Sequence, residues 1–107
     1  MTKPSCCIVQ TTCPDEKSCQ RIIDELFNHH LAACIHTQEI KSHYIWNKKI
    51  EHDKEILLGI KTQNTHFHAI EKLIKSIHPY EVPEILLLPI IDGSPEYLEW
   101  LINNISV

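Results

Sequence analysis

Residues 35–62 read as one long hairpin, and that stretch limits what the rest of the chain can become. From 35 to 46 the character alternates, with Ile40, Tyr44 and Trp46 on one face beside His36, Gln38 and Ser42. Asn47-Lys48 makes a tight turn, Asn being favoured where φ turns positive. Residues 49–62 return as the partner strand. Ile50, Ile56, Leu58 and Ile60 fall on one face; Glu51, Asp53, Glu55 and Lys61 fall on the other. A ribbon this long exceeds what one small core needs, so its tip must protrude. A protruding tip with Tyr44, Ile45, Trp46 and Ile50 asks for a partner chain.

The second constraint is His78-Pro79-Tyr80-Glu81-Val82-Pro83-Glu84. Its two prolines fix φ twice and remove two backbone donors, and each pushes the residue before it, His78 and Val82, out of the helical region. A helix therefore stops at His78, the chain turns stiffly, and a strand is expected from about Glu84 through the apolar run to Ile91. This rigid linker carries an imidazole, a phenol and two carboxylates. It reads either as a place for chemistry or as a helix stop followed by a strand entry.

The remaining elements fall around these two. Residues 5–12, with Cys6, Cys7, Ile8 and Val9, form a short strand that is apolar on both sides and suits a central, covered position. Cys13-Pro14-Asp15-Glu16 opens a helix, with proline expected at its first position and acids in its first turn. Cys19, Ile22, Ile23, Leu26, Phe27 and Leu31 make its apolar stripe, and His29 and His30 sit at its end, where a capping role is expected. Asn64 or Thr65 is expected to cap a second helix with Phe67, Ile70, Leu73, Ile74 and Ile77 inward; His66 and His68 read as surface residues. Ser94-Pro95-Glu96 opens a last helix, whose apolar side holds Tyr97, Leu98, Leu101, Ile102 and Ile105 with Trp100 at the edge. The order is strand, helix, strand, strand, helix, strand, helix. It predicts an α+β chain: a ferredoxin-like βαββαβ sandwich with an extra C-terminal helix and a long hairpin between its second and third strands. Two helices cover one sheet face, and the other still needs cover, partly from other subunits.

Length and charge narrow the function. The 107 residues make one domain, 1–107, with a modest stability margin that oligomerisation would improve. The net charge is −4 and the only basic cluster is Lys48-Lys49, which argues against nucleic acid and anionic membrane surfaces as partners. The N-terminus lacks a signal-like apolar core, so a cytoplasmic location is expected. Five cysteines, Cys6, Cys7, Cys13, Cys19 and Cys34, with no Cys-x-x-Cys pair, argue against a disulfide framework and a thiolate zinc site. No nucleophile–base–acid set or glycine-rich phosphate loop appears, so an enzyme is not expected.

Thr11-Thr12-Cys13-Pro14-Asp15-Glu16, Leu31-Ala32-Ala33-Cys34, Tyr44-Ile45-Trp46, Lys61-Thr62, His78-Pro79-Tyr80-Glu81-Val82-Pro83-Glu84 and Tyr97-Leu98-Glu99-Trp100 occur in order. Together they resemble the CutA family of divalent-cation tolerance proteins over nearly the whole chain. The resemblance implies a cytoplasmic homotrimer joined through hairpins and edge strands, a tie to copper or another divalent cation, and an architecture similar to the trimeric PII signalling proteins. The copper site it implies falls here on Thr11, Ile77 and His78. Thr11 and Ile77 are not expected to bind, which leaves His78. Lys48 stands where the family usually has a glycine, which leaves the turn type open.

Two sets of residues are therefore candidates. His78 could ligate metal with Glu81, Glu84 or a cysteine; its plainer reading is a helix-terminal histidine bonded to a backbone group. Cys34, Trp46, Glu55, Lys61, Tyr80 and Glu81 could line an intersubunit cleft, if one subunit's hairpin reaches another's Pro-Tyr segment. Their plainer reading is interface packing. The first functional reading is a non-enzymatic homotrimer that binds or responds to divalent metal. The alternative is a PII-like sensor that holds a small metabolite or nucleotide in those clefts.

Overall fold

The computed structural model describes residues 6–105. It runs β1 (Cys6–Cys13), α1 (Glu16–Asn28), β2 (Cys34–Trp46), β3 (Lys49–Gln63), a 3-10 turn (Asn64–His66), α2 (Phe67–Ile77), β4 (Leu86–Pro89) and α3 (Pro95–Asn103). The four strands form one antiparallel sheet in the order β2-β3-β1-β4, so β1 lies inside the sheet as its apolar sequence requires. This is the expected ferredoxin-like α+β plan with its additional helix. Ser5, placed in the first strand by the sequence, and the N-terminal residues behind the cytoplasmic expectation lie outside the described residues.

The pleat decides what each sheet face carries. Cys7, Val9, Thr11 and Cys13 of β1 lie opposite Thr62, Ile60, Leu58 and Ile56 of β3, and all eight are buried. α1 brings Cys19, Ile22 and Leu26 to this face, and α2 brings Ile70 and Ile74. On the other face the described residues cover only one end. There Leu101 of α3 and Ile105, just past its end, pack on Cys6, with Ala33, Ile90, Leu98 and Ile102 around them. Further along that face stand Ile8 and Leu57, half-buried, and Leu86 and Leu88, exposed. β2 and β3 pair without interruption from Cys34↔Lys61 to Trp46↔Lys49, and the ribbon accounts for extents of 49 × 26 × 22 Å. Its tip exposes Ile45, Trp46 and Ile50 by 76%, 63% and 72%, as the sequence predicts.

Several ends are built differently from expectation. Asp15, not Pro14, starts α1: its extended backbone and its carboxylate, which accepts from Ser18 N–H at 2.8 Å, make it the cap and leave the proline one residue outside. At the other end the capping is by backbone. His30 takes φ 56°, so its N–H donates to Phe27 O and that of Leu31 to Leu26 O. Phe27 is 44% exposed and so leaves the predicted stripe. Neither Asn64 nor Thr65 caps α2; they form the 3-10 turn, and no side-chain cap bond is made. His66 is half-buried rather than on the surface, with Nε2 enclosed. β4 pairs only four residues with β1, against a strand expected from 84 to 91. The apolar run outlasts the strand because Ile85 and Ile90, just beyond its ends, pack against the two core clusters. At the tip, Asn47 and Lys48 adopt φ 50° and 63°, so the two-residue turn with both φ positive forms without glycine.

Candidate functional site

The proline segment is anchored by its own histidine. His78 leaves the α2 helix with extended backbone (φ −69°, ψ 137°), as a residue before proline must. Its ring is buried and spans two backbone groups. Nδ1 accepts from the Tyr80 N–H at 3.0 Å, which requires the proton to sit on Nε2. Nε2 then donates to the Thr12 carbonyl at 2.7 Å, at the end of β1. The ring of Tyr80 lies 4.9 Å from that of His78, tilted by 46°. The Tyr80 hydroxyl continues outward and donates to Glu55 Oε2 at 2.8 Å. One chain of bonds therefore runs from β1 through His78 and Tyr80 to β3. Burial first, then the bond to Glu55 and its charge, hold the Tyr80 phenol well above the usual range.

A second cluster lies at the opposite end of the same sheet face. Lys61, the register partner of Cys34, donates through Nζ to the Tyr97 hydroxyl at 2.9 Å and stands 4.9 Å from the centre of that ring. Tyr97 in turn stacks on Trp100, 5.7 Å between centroids and 22° between planes. The sequence placed Tyr97 on the apolar side of α3 and missed this pairing. Its signal is the Tyr97-x-x-Trp100 spacing, one helical turn, on a helix packed over the end of β3.

The six residues expected to share a cleft thus separate within one chain. Glu55 and Tyr80 meet directly, Cys34 and Lys61 stand across from each other, Trp46 is at the exposed ribbon tip and Glu81 is exposed. An open groove of about 460 Å³ between the start of α1 and the ribbon is lined by Asp15, Glu16, Glu39, Lys41, Lys54 and Glu55, so its charges of both signs lie side by side.

The positions carrying the implied copper site do not fit a copper ion. Thr11 offers a hydroxyl that is enclosed without a partner, Ile77 offers no donor, and both ring nitrogens of His78 are engaged. Among the described residues no group of three His, Cys, Asp or Glu side chains could hold a metal ion.

The sheet order, the helix pair on one face and the extended ribbon define a small ferredoxin-like α+β protein. Over residues 7–104 the sequence matches the family described as CutA1 divalent ion tolerance protein, and the chain belongs to that family. It is 38% identical to the divalent-cation tolerance protein CutA of Pyrococcus horikoshii over 97 residues, 91% of this chain and 95% of that one. It is 43% identical to mouse protein CutA over 91 residues, 84% of this chain; the match spans only about half, 51%, of the mouse protein. The solved structure of rice CutA1 superposes with TM-score 0.90 at 35% identity, covering 100% of this chain and 98% of that one. That of the periplasmic divalent cation tolerance protein CutA from Archaeoglobus fulgidus gives 0.90 at 31% identity, covering 94% and 99%.

Proposed function

We propose that this protein is a non-enzymatic divalent-cation tolerance protein that works as a homotrimer in the cytoplasm and binds copper or another divalent cation. The observation that carries the assembly is the half-covered sheet face. Ile8 lies beside Leu88 there, with Leu86 and then Leu57 further along, and among the described residues α3 and the residues just after it shield only the far end. The ribbon supplies the complement, an apolar tip of Ile45, Trp46 and Ile50 extended beyond its own core. Burying such apolar surface is favourable by roughly 25 cal/mol per Å² removed from water. Family membership supports the cation reading, since the Pyrococcus and Archaeoglobus relatives are both described as divalent cation tolerance proteins.

In that trimer the Tyr80–Glu55 bond and the Lys61–Tyr97–Trp100 stack are walls that a neighbour's ribbon could close. Ligation through His78 requires it to give up either Thr12 O or Tyr80 N–H. The sensor alternative has no observation of its own in its favour, because Trp46 stands at the tip while Lys61 and Tyr80 lie at opposite ends of the sheet face. Sedimentation equilibrium and calorimetric titration test the proposal together. Expected are a mass of three chains and micromolar binding of copper or zinc by chelator-treated protein. A monomer at micromolar concentration would sink the assembly, and silence toward both metals would sink the cation reading. Cell fractionation tests the location; protein recovered outside the cytoplasm would overturn it.

A further inference from the structure

We infer that His43 and His52 form a two-point site for a late first-row divalent cation, zinc or copper(II), on the outer half of the ribbon. The two residues are direct partners, His43 on β2 opposite His52 on β3. Their Nδ1 atoms approach to 3.2 Å, with ring centroids 5.2 Å apart and planes at 69°. Two imidazole nitrogens this close cannot both carry a proton toward each other. Either one proton bridges them, or a cation takes its place. Nitrogens bound to one zinc at 2.0–2.1 Å stand about 3.3–3.4 Å apart at the tetrahedral angle, so the rings need to move by only a few tenths of an ångström.

The backbone holds the pair in place. Uninterrupted pairing from Cys34 to Trp46 and the tight turn at Asn47-Lys48 leave the Cβ atoms little freedom to separate. Both side chains are exposed, so water or anions can complete the coordination. The face they share is that of α1 and α2, beyond the reach of either helix. Its flanking cross-strand pairs are Lys41–Lys54 on the core side and Ile45–Ile50 on the tip side. The two lysines repel a bare cation and keep affinity moderate. Imidazole donors without an oxygen cage select zinc, copper or nickel over magnesium and calcium. The site is separate from His78, whose ring nitrogens are bound to backbone, and both of its donors come from one chain.

The test is calorimetric titration of the chelator-stripped full chain with zinc and copper sulfate, with magnesium as the control. His43→Ala, His52→Ala and His78→Ala are compared with the wild type. About one zinc or copper per chain is expected. Each ribbon variant should weaken binding on the order of a hundredfold, since the second donor acts at high effective concentration. Both ribbon variants alter exposed side chains, and their metal-free melting should match the wild type. In the copper-loaded wild type, nitrogen hyperfine structure should report two imidazoles, and one in either variant. Ribbon variants that bind like the wild type overturn the inference. If His78→Ala alone abolishes binding, this site fails while the cation-tolerance reading stands; if the wild type takes neither metal, both fail.

Discussion

The hydroxyl of Tyr80 donates to Glu55 across 2.8 Å and so ties the turn after α2 to the middle of β3. Because the Tyr80 N–H is also bonded to His78, one residue fixes the proline segment at its backbone and at the end of its side chain. Tyr80→Phe keeps the ring and removes only the outer bond. It should cost about 1–2 kcal/mol, the worth of a partly shielded bond to a carboxylate, and denaturant unfolding measures it. The same residue sets a pH dependence. Burial, the bond to Glu55 and its charge raise the folded phenol above its ordinary 10.0, so the folded chain holds this proton more tightly than the unfolded chain. That stability is complete below pH 10 and is lost as pH rises above it. Tyr80→Phe should lose less stability than the wild type over this alkaline range; equal losses would remove Tyr80 as the cause.

His78→Ala removes a buried ring and leaves the Thr12 carbonyl and the Tyr80 N–H unpaired. About 3 kcal/mol of stability should go with it. Hydrogen exchange would check the mechanism: the Tyr80 amide should lose protection well before those of the central β1 strand. Unchanged exchange at Tyr80 would mean that the histidine does not hold the segment.

Lys48 occupies the left-handed region at φ 63°, a conformation that costs a non-glycine residue about 1 kcal/mol. Lys48→Gly relieves it without touching any core residue and should raise the melting temperature by several degrees. A lower melting temperature would show that the strain at Lys48 is smaller than the chain entropy that glycine adds to the unfolded state.

Burial pushes the Cys7 thiol up to about 11 and the Cys13 thiol up to about 12. Two units above the ordinary 9.0 leaves Cys7 with roughly a hundredfold less thiolate at neutral pH. Cys34, half-buried at the start of β2, should therefore be the first thiol alkylated in the native protein, with Cys7 and Cys13 labelled only on unfolding. Mass spectrometry after a timed quench reads the order directly.

What the sequence made legible was whatever repeats with the pleat or the helix. Once Asn47-Lys48 is placed as the turn, every pair from Cys34↔Lys61 outward follows, because strand register has a period of two and no freedom beyond the turn. The inner stripes of α1 and α2 were likewise readable from Ile22, Leu26, Ile70 and Ile74. The length of β4 was not, since Ile85 and Ile90 are apolar for packing outside the paired residues and so resemble a longer strand. Lys61–Tyr97 depends on where α3 lands, which no local pattern records. His43 and His52 were readable in principle, standing equally far from the turn, but their 3.2 Å approach needed the ring orientations.

The turn at Asn47-Lys48 bears on how the ribbon comes together. A bend that asks Lys48, and not only Asn47, for left-handed backbone is a poor starting point for pairing. Zippering should therefore begin where Ile35 and Ile60 meet the core and run outward, so that the tip closes last.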